Sequence, residues 1–257
     1  MADAARKIAR EVDRIDVTPR FTQHDAIRLN NMFRGTGTQD LLRTVLGEHL
    51  LGGIALVSSF GAESAALLHL VASVDRGVPV LFLDTGKHFP ETLAYRDLLT
   101  ERLGLNLQIV HPDPEQLETR DGTALRWSYD PDGCCEIRKV LPLEKAMAGF
   151  DASITGRKAH QASTRSALPR FEIDGDRVKL NPLADWTRED IAAYFAEHDL
   201  PPHPLVAQGY LSIGCAPCTS IVKPGEDPRS GRWSGWDKTE CGIHTPVSDG
   251  DPNLPVF

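Results

Sequence analysis

Gly53-Ile54-Ala55-Leu56-Val57-Ser58-Ser59-Phe60-Gly61-Ala62-Glu63-Ser64 decides how this chain folds. Its first half is a short apolar run bounded by glycine, the pattern of a buried strand. Its second half is small and polar, and from 62 to 74 apolar residues return at helical spacing, with Ala65, Leu68 and Ala72 on one side. A strand passing through a tight turn into a helix is the first unit of a parallel α/β sheet. Such turns receive anions, because N–H groups at the helix start point outward and small residues let a ligand approach. Taken alone, a plain strand-to-helix connection capped by Ser58 or Ser59 is the better reading.

The neighbouring segments repeat the unit. Residues 78–83 form a second apolar run, a helix is expected over Pro90–Leu103, and residues 105–110 read as a third strand. A polar stretch, a helix at 136–149 and a fourth strand at 152–155 follow. This alternation predicts an α/β fold: a mostly parallel twisted sheet with helices on both faces. Residues 171–180 read as a hairpin turned at Asp174-Gly175. Thr187 and Asp190 form a capping box opening another helix. Residues 1–50 read as a helical segment packed on the core, and 245–257 as a disordered tail.

The whole chain has 257 residues, 41% of them hydrophobic and 25% charged, enough for a full core and ordinary for a soluble protein. No run approaches a membrane span and no apolar stretch follows the N-terminus, so a cytoplasmic address with reduced thiols is expected. A net charge of −8 disfavours nucleic acid as a partner. A small anion remains open if basic residues gather at one site. Leu83-Asp84-Thr85-Gly86-Lys87-His88 and Thr155-Gly156-Arg157-Lys158 close the second and fourth strands with anion-friendly chemistry. Three such strand ends make a nucleotide site the better reading.

The five cysteines add a second theme. Cys134 and Cys135 are adjacent, Cys215 and Cys218 form a Cys-x-x-Cys, and Cys241 stands apart in Glu240-Cys241-Gly242-Ile243-His244. Four thiolates in two pairs are a metal ligand count. Adjacent cysteines diverge and suit one zinc ion poorly, whereas a cluster offers each sulfur a different iron. Spacing alone favours the cluster modestly and leaves zinc open. Cys241 has no paired cysteine and reads as a nucleophile, with Arg229, Arg232 and His244 near enough in sequence to favour its thiolate.

The loop Ser59-Phe60-Gly61-Ala62-Glu63-Ser64 resembles the PP-loop of the ATP pyrophosphatase-like fold, with Phe60 for a glycine and Glu63 for an aspartate. Together with Leu83-Asp84-Thr85-Gly86, Thr155-Gly156-Arg157, Asn181-Pro182-Leu183-Ala184-Asp185-Trp186 and Glu240-Cys241-Gly242-Ile243-His244, it is similar to the adenylyl-sulfate and phosphoadenylyl-sulfate reductase family over about residues 51–244. The resemblance implies reduction of adenylyl sulfate to sulfite and AMP, with reduced thioredoxin or a related dithiol protein as donor. It implies an S-sulfocysteine on Cys241, carried by a flexible C-terminal segment. It implies a [4Fe–4S] cluster on Cys134, Cys135, Cys215 and Cys218, with Lys139 between cluster and substrate. Substrate contacts are expected from Ser58, Ser59, Phe60, Gly61, Ser64, Leu83, Asp84, Thr85, Gly156, Arg157, Arg229, Arg232 and His244. Lys158 and His160 depart from the residues common in the family. Weighed against this are a reductase for the 3′-phosphorylated nucleotide or for both, a PP-loop ligase using ATP, and a non-catalytic metal module. A homo-oligomer is left open.

Overall fold

Side chains along β1 (Ile54–Val57) alternate between two apolar layers, and the sheet is built on that alternation. Ile54 and Leu56 pack into the larger cluster, while Ala55 and Val57 face the smaller one around Met147. β2 (Pro79–Leu83) repeats the pattern, with Val80 and Phe82 on one side and Leu81 on the other. Runs buried on both faces are what parallel sheets require. The computed structural model describes residues 20–159, 168–223, 225–238, 240 and 242–243. The expected tail at 245–257, and residues 1–19 of the expected N-terminal segment, lie outside them.

Among the described residues, six strands are ordered β3-β2-β1-β4-β6-β5, with β3 (Asn106–Val110), β4 (Ala152–Ile154), β5 (Phe171–Asp174) and β6 (Arg177–Leu180). All neighbours pair in parallel except the β5–β6 hairpin, in which Ile173 faces Val178. Helices α1 (Gln23–Met32), α2 (Thr38–Gly47), α3 (Ser64–Val74) and α4 (Pro90–Leu103) contribute to the larger apolar layer. The mostly parallel α/β sheet matches the expectation. β2 lies on one side of β1 and β4 on the other, so the connections diverge at β1. A crevice opens outside the strand ends at such a switch point.

Two helices depart from the sequence reading. α5 (Pro114–Asp121) occupies the polar stretch after β3. Its only buried residue is Asp121, so it has no apolar period to read, yet Asp113 caps it by accepting the Glu115 N–H at 2.9 Å. The helix expected at 136–149 begins earlier, as α6 (Pro131–Cys135), because Asp130 caps it by accepting the Gly133 N–H at 2.8 Å. It then passes through a π-helical turn at Glu136–Val140 into α7 (Leu141–Met147). Pro142 has no N–H for the α-register, and the Leu141 N–H instead reaches the Glu136 carbonyl, five residues back. A further helix, α8 (Arg188–Glu197), opens with the Thr187–Asp190 capping box as expected.

Candidate active site

A cleft of about 250 Å³ lies at the switch point, walled by the ends of β1, β2 and β4 and by residues 211–214, 228, 229, 232, 233, 240 and 243. At the β1 end, Phe60 adopts a left-handed φ of +49° and is fully buried, edge-on to the Phe82 ring. That backbone costs about 1–3 kcal/mol in a non-glycine residue. Burying the phenyl ring returns about the same. The result turns the loop so that Ser58, Ser59, Gly61 and Ser64 line the cleft. The loop passes close to the opposite wall at Gly61, where a Cβ would stand 3.3 Å from the Ile213 carbonyl oxygen, a tight contact.

On the β4 side, the Arg157 guanidinium is buried against the Glu172 carboxylate and donates to Asn181 Oδ1 at 3.2 Å. Lys158 is also buried, with Nζ 2.9 Å from Glu63 Oε2 and 3.1 Å from the Gly156 carbonyl. Lys158 and Glu63, which both depart from the resembled motif, are therefore paired with each other. Gly156, Arg157 and Lys158 all border the cleft.

At the β2 end, Leu83 and Thr85 face the cleft, and Thr85 Oγ1 lies 3.3 Å from Cys215 Sγ. Lys139, from the π turn, also lines the cleft and hydrogen-bonds Cys215. Burial opposes the Cys215 thiolate, but the Lys139 charge, the Thr85 hydroxyl and the Arg232 charge together pull its pKa below the ordinary thiol value. Burial, then the neighbouring Cys135, push Cys134 up to about 11. Burial first and Cys215 second raise Cys218. These are free thiols, three of them buried, and the pairs distant in sequence sense each other's charge.

Beneath them, Arg138 is buried on Asp121 at 2.6 Å and donates to the Thr85 carbonyl at 2.8 Å. Burial disfavours the Asp121 carboxylate, yet the Arg138 and Arg126 N–H bonds hold its pKa below the usual range. One ion pair thus connects α5, the cysteine-bearing helix and the Thr85 loop.

The remaining wall is made of irregular chain around Trp233, buried with a φ of +49°. The Trp233 N–H donates to the Cys218 carbonyl at 3.1 Å. Arg232 stacks 4.4 Å from the ring centre, Lys238 lies at 5.5 Å and Arg229 at 6.0 Å. Gly214 makes room for this, because a Cβ there would sit 2.2 Å from Arg232 Nη2. Arg229 Nη2 is 3.4 Å from Glu240 Oε2, and Lys238 pairs with Asp132 on α6. Arg232 Nε and Trp233 Nε1 are buried with no hydrogen-bond partner among the described residues.

Of the residues expected at the substrate, the cleft brings together Ser58, Ser59, Gly61, Ser64, Leu83, Thr85, Lys139, Gly156, Arg157, Arg229 and Arg232. Phe60 and Asp84 are not among its lining residues. The former is core, and the latter accepts the Gly86 N–H at 3.0 Å within its own turn. Cys241, His244 and His160 lie outside the described residues. Lys87, a candidate anion partner in sequence, instead donates to the Ala124 carbonyl at 2.6 Å. His88 does line the cleft, but burial lowers its pKa and its Nε2 bonds the Leu83 carbonyl at 2.9 Å, so it is a neutral wall. Sequence reasoning missed the Glu240 and Asp132 ion pairs, whose partners are remote in sequence. The basic segment before Cys241 was the available signal.

The chain matches the family described as the phosphoadenosine phosphosulfate reductase domain over residues 53–221. It is 62% identical over 197 residues to the adenosine 5'-phosphosulfate reductase of Chelativorans sp. (strain BNC1), covering 76% of this chain and 80% of that one. The same-named protein of Deinococcus radiodurans is 45% identical over 213 residues, covering 81% and 82%. Among solved structures, the phosphoadenylyl-sulfate reductase of Candida auris superposes with a TM-score of 0.67 at 27% identity, covering 79% of this chain and 98% of that one. The FMN adenylyltransferase of Candida glabrata, at 15% identity and a TM-score of 0.51 with 84% and 81% covered, shares the fold alone. Cleft, motifs and comparisons agree, and the chain belongs to the phosphoadenosine phosphosulfate reductase domain family.

Proposed function

We propose that this protein reduces adenylyl sulfate to sulfite and AMP, using Cys241 as nucleophile and a thioredoxin-type dithiol as reductant. The observation that carries the reading is the meeting, in one cleft, of three strand ends with Lys139, Arg229 and Arg232. The nucleotide phosphate takes the N–H groups and hydroxyls of the 58–64 loop at the start of α3. The sulfonate oxygens take the arginines and Lys139, whose charges gather locally although the chain is acidic overall.

The Cys241 thiolate attacks the sulfur, the bond from sulfur to the bridging oxygen breaks, and AMP leaves with that electron pair. A thiolate of the reduced dithiol protein then attacks Cys241 Sγ, and sulfite departs. The partner's second thiol closes its disulfide and frees Cys241. Both electrons come from the dithiol. The 3′-phosphorylated nucleotide is the alternative substrate, because the Candida auris relative is named for it.

The four thiols suit the [4Fe–4S] cluster that the resemblance implies. Among the described residues, no three Cys, His, Asp or Glu side chains converge closely enough for a single metal ion. The charge of Cys215 nevertheless reaches Cys134, that of Cys135 reaches Cys218, and Lys139 acts on both Cys215 and Cys218. Arg232 Nε–H and Trp233 Nε1–H, buried beside the Cys-x-x-Cys segment, are donors for which sulfur is a ready acceptor. When bound by Cys134, Cys135, Cys215 and Cys218, the cluster supplies a fixed charge that orders this wall.

The test is anaerobic incubation with adenylyl sulfate and no reductant, followed by peptide mass spectrometry. One SO₃ group on the Cys241 peptide, discharged by reduced thioredoxin, is the expected result. An adduct formed only with the 3′-phosphorylated nucleotide moves the assignment to that substrate. No adduct with either sinks the mechanism.

A further inference from the structure

The two arginines of the basic turn are held differently. Arg232 lies on Trp233 with its Nε unpartnered and no carboxylate beside it among the described residues. Arg229 has a carboxylate partner, Glu240, at 3.4 Å, and both side chains are about four-fifths buried. Arg229, Glu240 and Ile243 all border the cleft. Glu240 immediately precedes Cys241 in sequence. A second ion pair, Lys238 with Asp132 on α6, holds the same short segment on its other side.

We propose that Glu240 is a displaceable occupant of the substrate's anion site. Its carboxylate and the sulfonate of adenylyl sulfate compete for the Arg229 guanidinium. Nucleotide binding transfers Arg229 from Glu240 to the sulfonate oxygens and thereby releases the residue next to the nucleophile. Departure of AMP and later of sulfite lets Glu240 return. The Lys238–Asp132 pair takes no part in the exchange, because Lys238 touches Trp233 and α6 and not Arg229. Glu240 is in this sense a positioning residue, acting on Cys241 through the chain and on the substrate through Arg229. The proposal rests on the reading of this cleft as an adenylyl-sulfate site.

The experiment measures Kd for adenylyl sulfate and for AMP by calorimetry on the cluster-loaded protein, in a Cys241→Ser background that prevents turnover. Glu240→Gln, which keeps shape and removes charge, is expected to bind adenylyl sulfate about fivefold more tightly, with AMP changed less than twofold. Arg229→Met should weaken adenylyl sulfate and make Glu240→Gln silent when the two are combined. Lys238→Met, which loosens the segment without touching Arg229, should leave both affinities within about twofold. An unchanged affinity in Glu240→Gln, an equal gain for AMP, or an equal gain in Lys238→Met overturns the proposal. Failure of the Cys241→Ser protein to bind adenylyl sulfate at all would sink the parent reading with it. Binding that only the Glu240 change leaves untouched sinks this inference alone.

Discussion

Arg157 and Arg232 face one cleft from opposite walls and are held in opposite ways. Arg157 follows β4, buried against Glu172 and Asn181, so its charge is already matched by the scaffold. Arg232 lies in irregular chain, stacked on Trp233, with its Nε unpartnered among the described residues. A buried guanidinium with a carboxylate chiefly holds elements together, and removing either partner strands the other charge. A guanidinium with spare donors in a cleft is prepared for an anion from solution. On the proposed reading the strand-end wall shapes the site, and the loop wall supplies its chemistry. On that same reading Cys241, which follows Glu240 in sequence, meets a small substrate first and a protein thiol second.

The sharpest way to break this division is at the nucleophile. Cys241→Ser should lower sulfite formation by on the order of 10³-fold or more while leaving the melting temperature unchanged. Substantial residual turnover would remove the loop wall from the chemistry. Next in size is Asp121→Asn, which leaves Arg138 buried without its counter-charge beneath the cysteines. We expect a loss of about 3–4 kcal/mol in unfolding free energy and fewer iron atoms bound per chain. Normal iron content with normal stability would show that the pair holds nothing.

The two arginines then test the contrast directly. Arg232→Met should reduce kcat/KM about 100-fold with little change in stability, since no carboxylate is stranded. Arg157→Met should cost about 2–3 kcal/mol of stability, because it leaves Glu172 without its buried partner. Equal effects on stability from the two substitutions would erase the distinction.

The same contrast explains what could be read from sequence. β1, β2 and β4 are buried on both faces, so their apolar runs and polar ends stand out, and α4 was legible over its whole length from Pro90 to Leu103. α5 was invisible because a helix that buries only Asp121 carries no hydrophobic period. The π turn follows from Pro142 but has no pattern of its own. Four-residue spacing from Cys135 left Lys139 equally readable as a solvated lysine, and only the family resemblance set it beside the cysteines; in the structure it lines the cleft and helps lower the Cys215 pKa. The Glu63–Lys158, Arg138–Asp121 and Lys238–Asp132 pairs join residues far apart in the chain, which no local spacing encodes. Local chemistry reveals which residues can act, and long-range ion pairs decide where they are held.

The smallest expected effect separates the scaffold from the loop wall by pH. His203 is almost wholly buried against the Tyr95 ring. Its Nδ1 accepts the Leu205 N–H at 3.2 Å and its Nε2 lies 3.1 Å from Thr92 Oγ1 on α4. Both nitrogens are engaged in the neutral form, and burial lowers its pKa from 6.5 to about 4, with Glu91 opposing. The unfolded chain therefore binds this proton at a higher pH than the folded chain does. The stabilisation is complete above about pH 6.5, falls as pH drops towards 4, and changes no further below that. At pH 5 the loss is about 2 kcal/mol relative to pH 8. His203→Asn should flatten the unfolding free energy over this window while sparing the pH profile of nucleotide binding, because His203 is not among the residues lining the cleft. If the wild-type and His203→Asn slopes coincide, His203 does not set the scaffold's acid limit. If nucleotide binding shifts along with stability, the two walls are not separable in the way their arginines indicate.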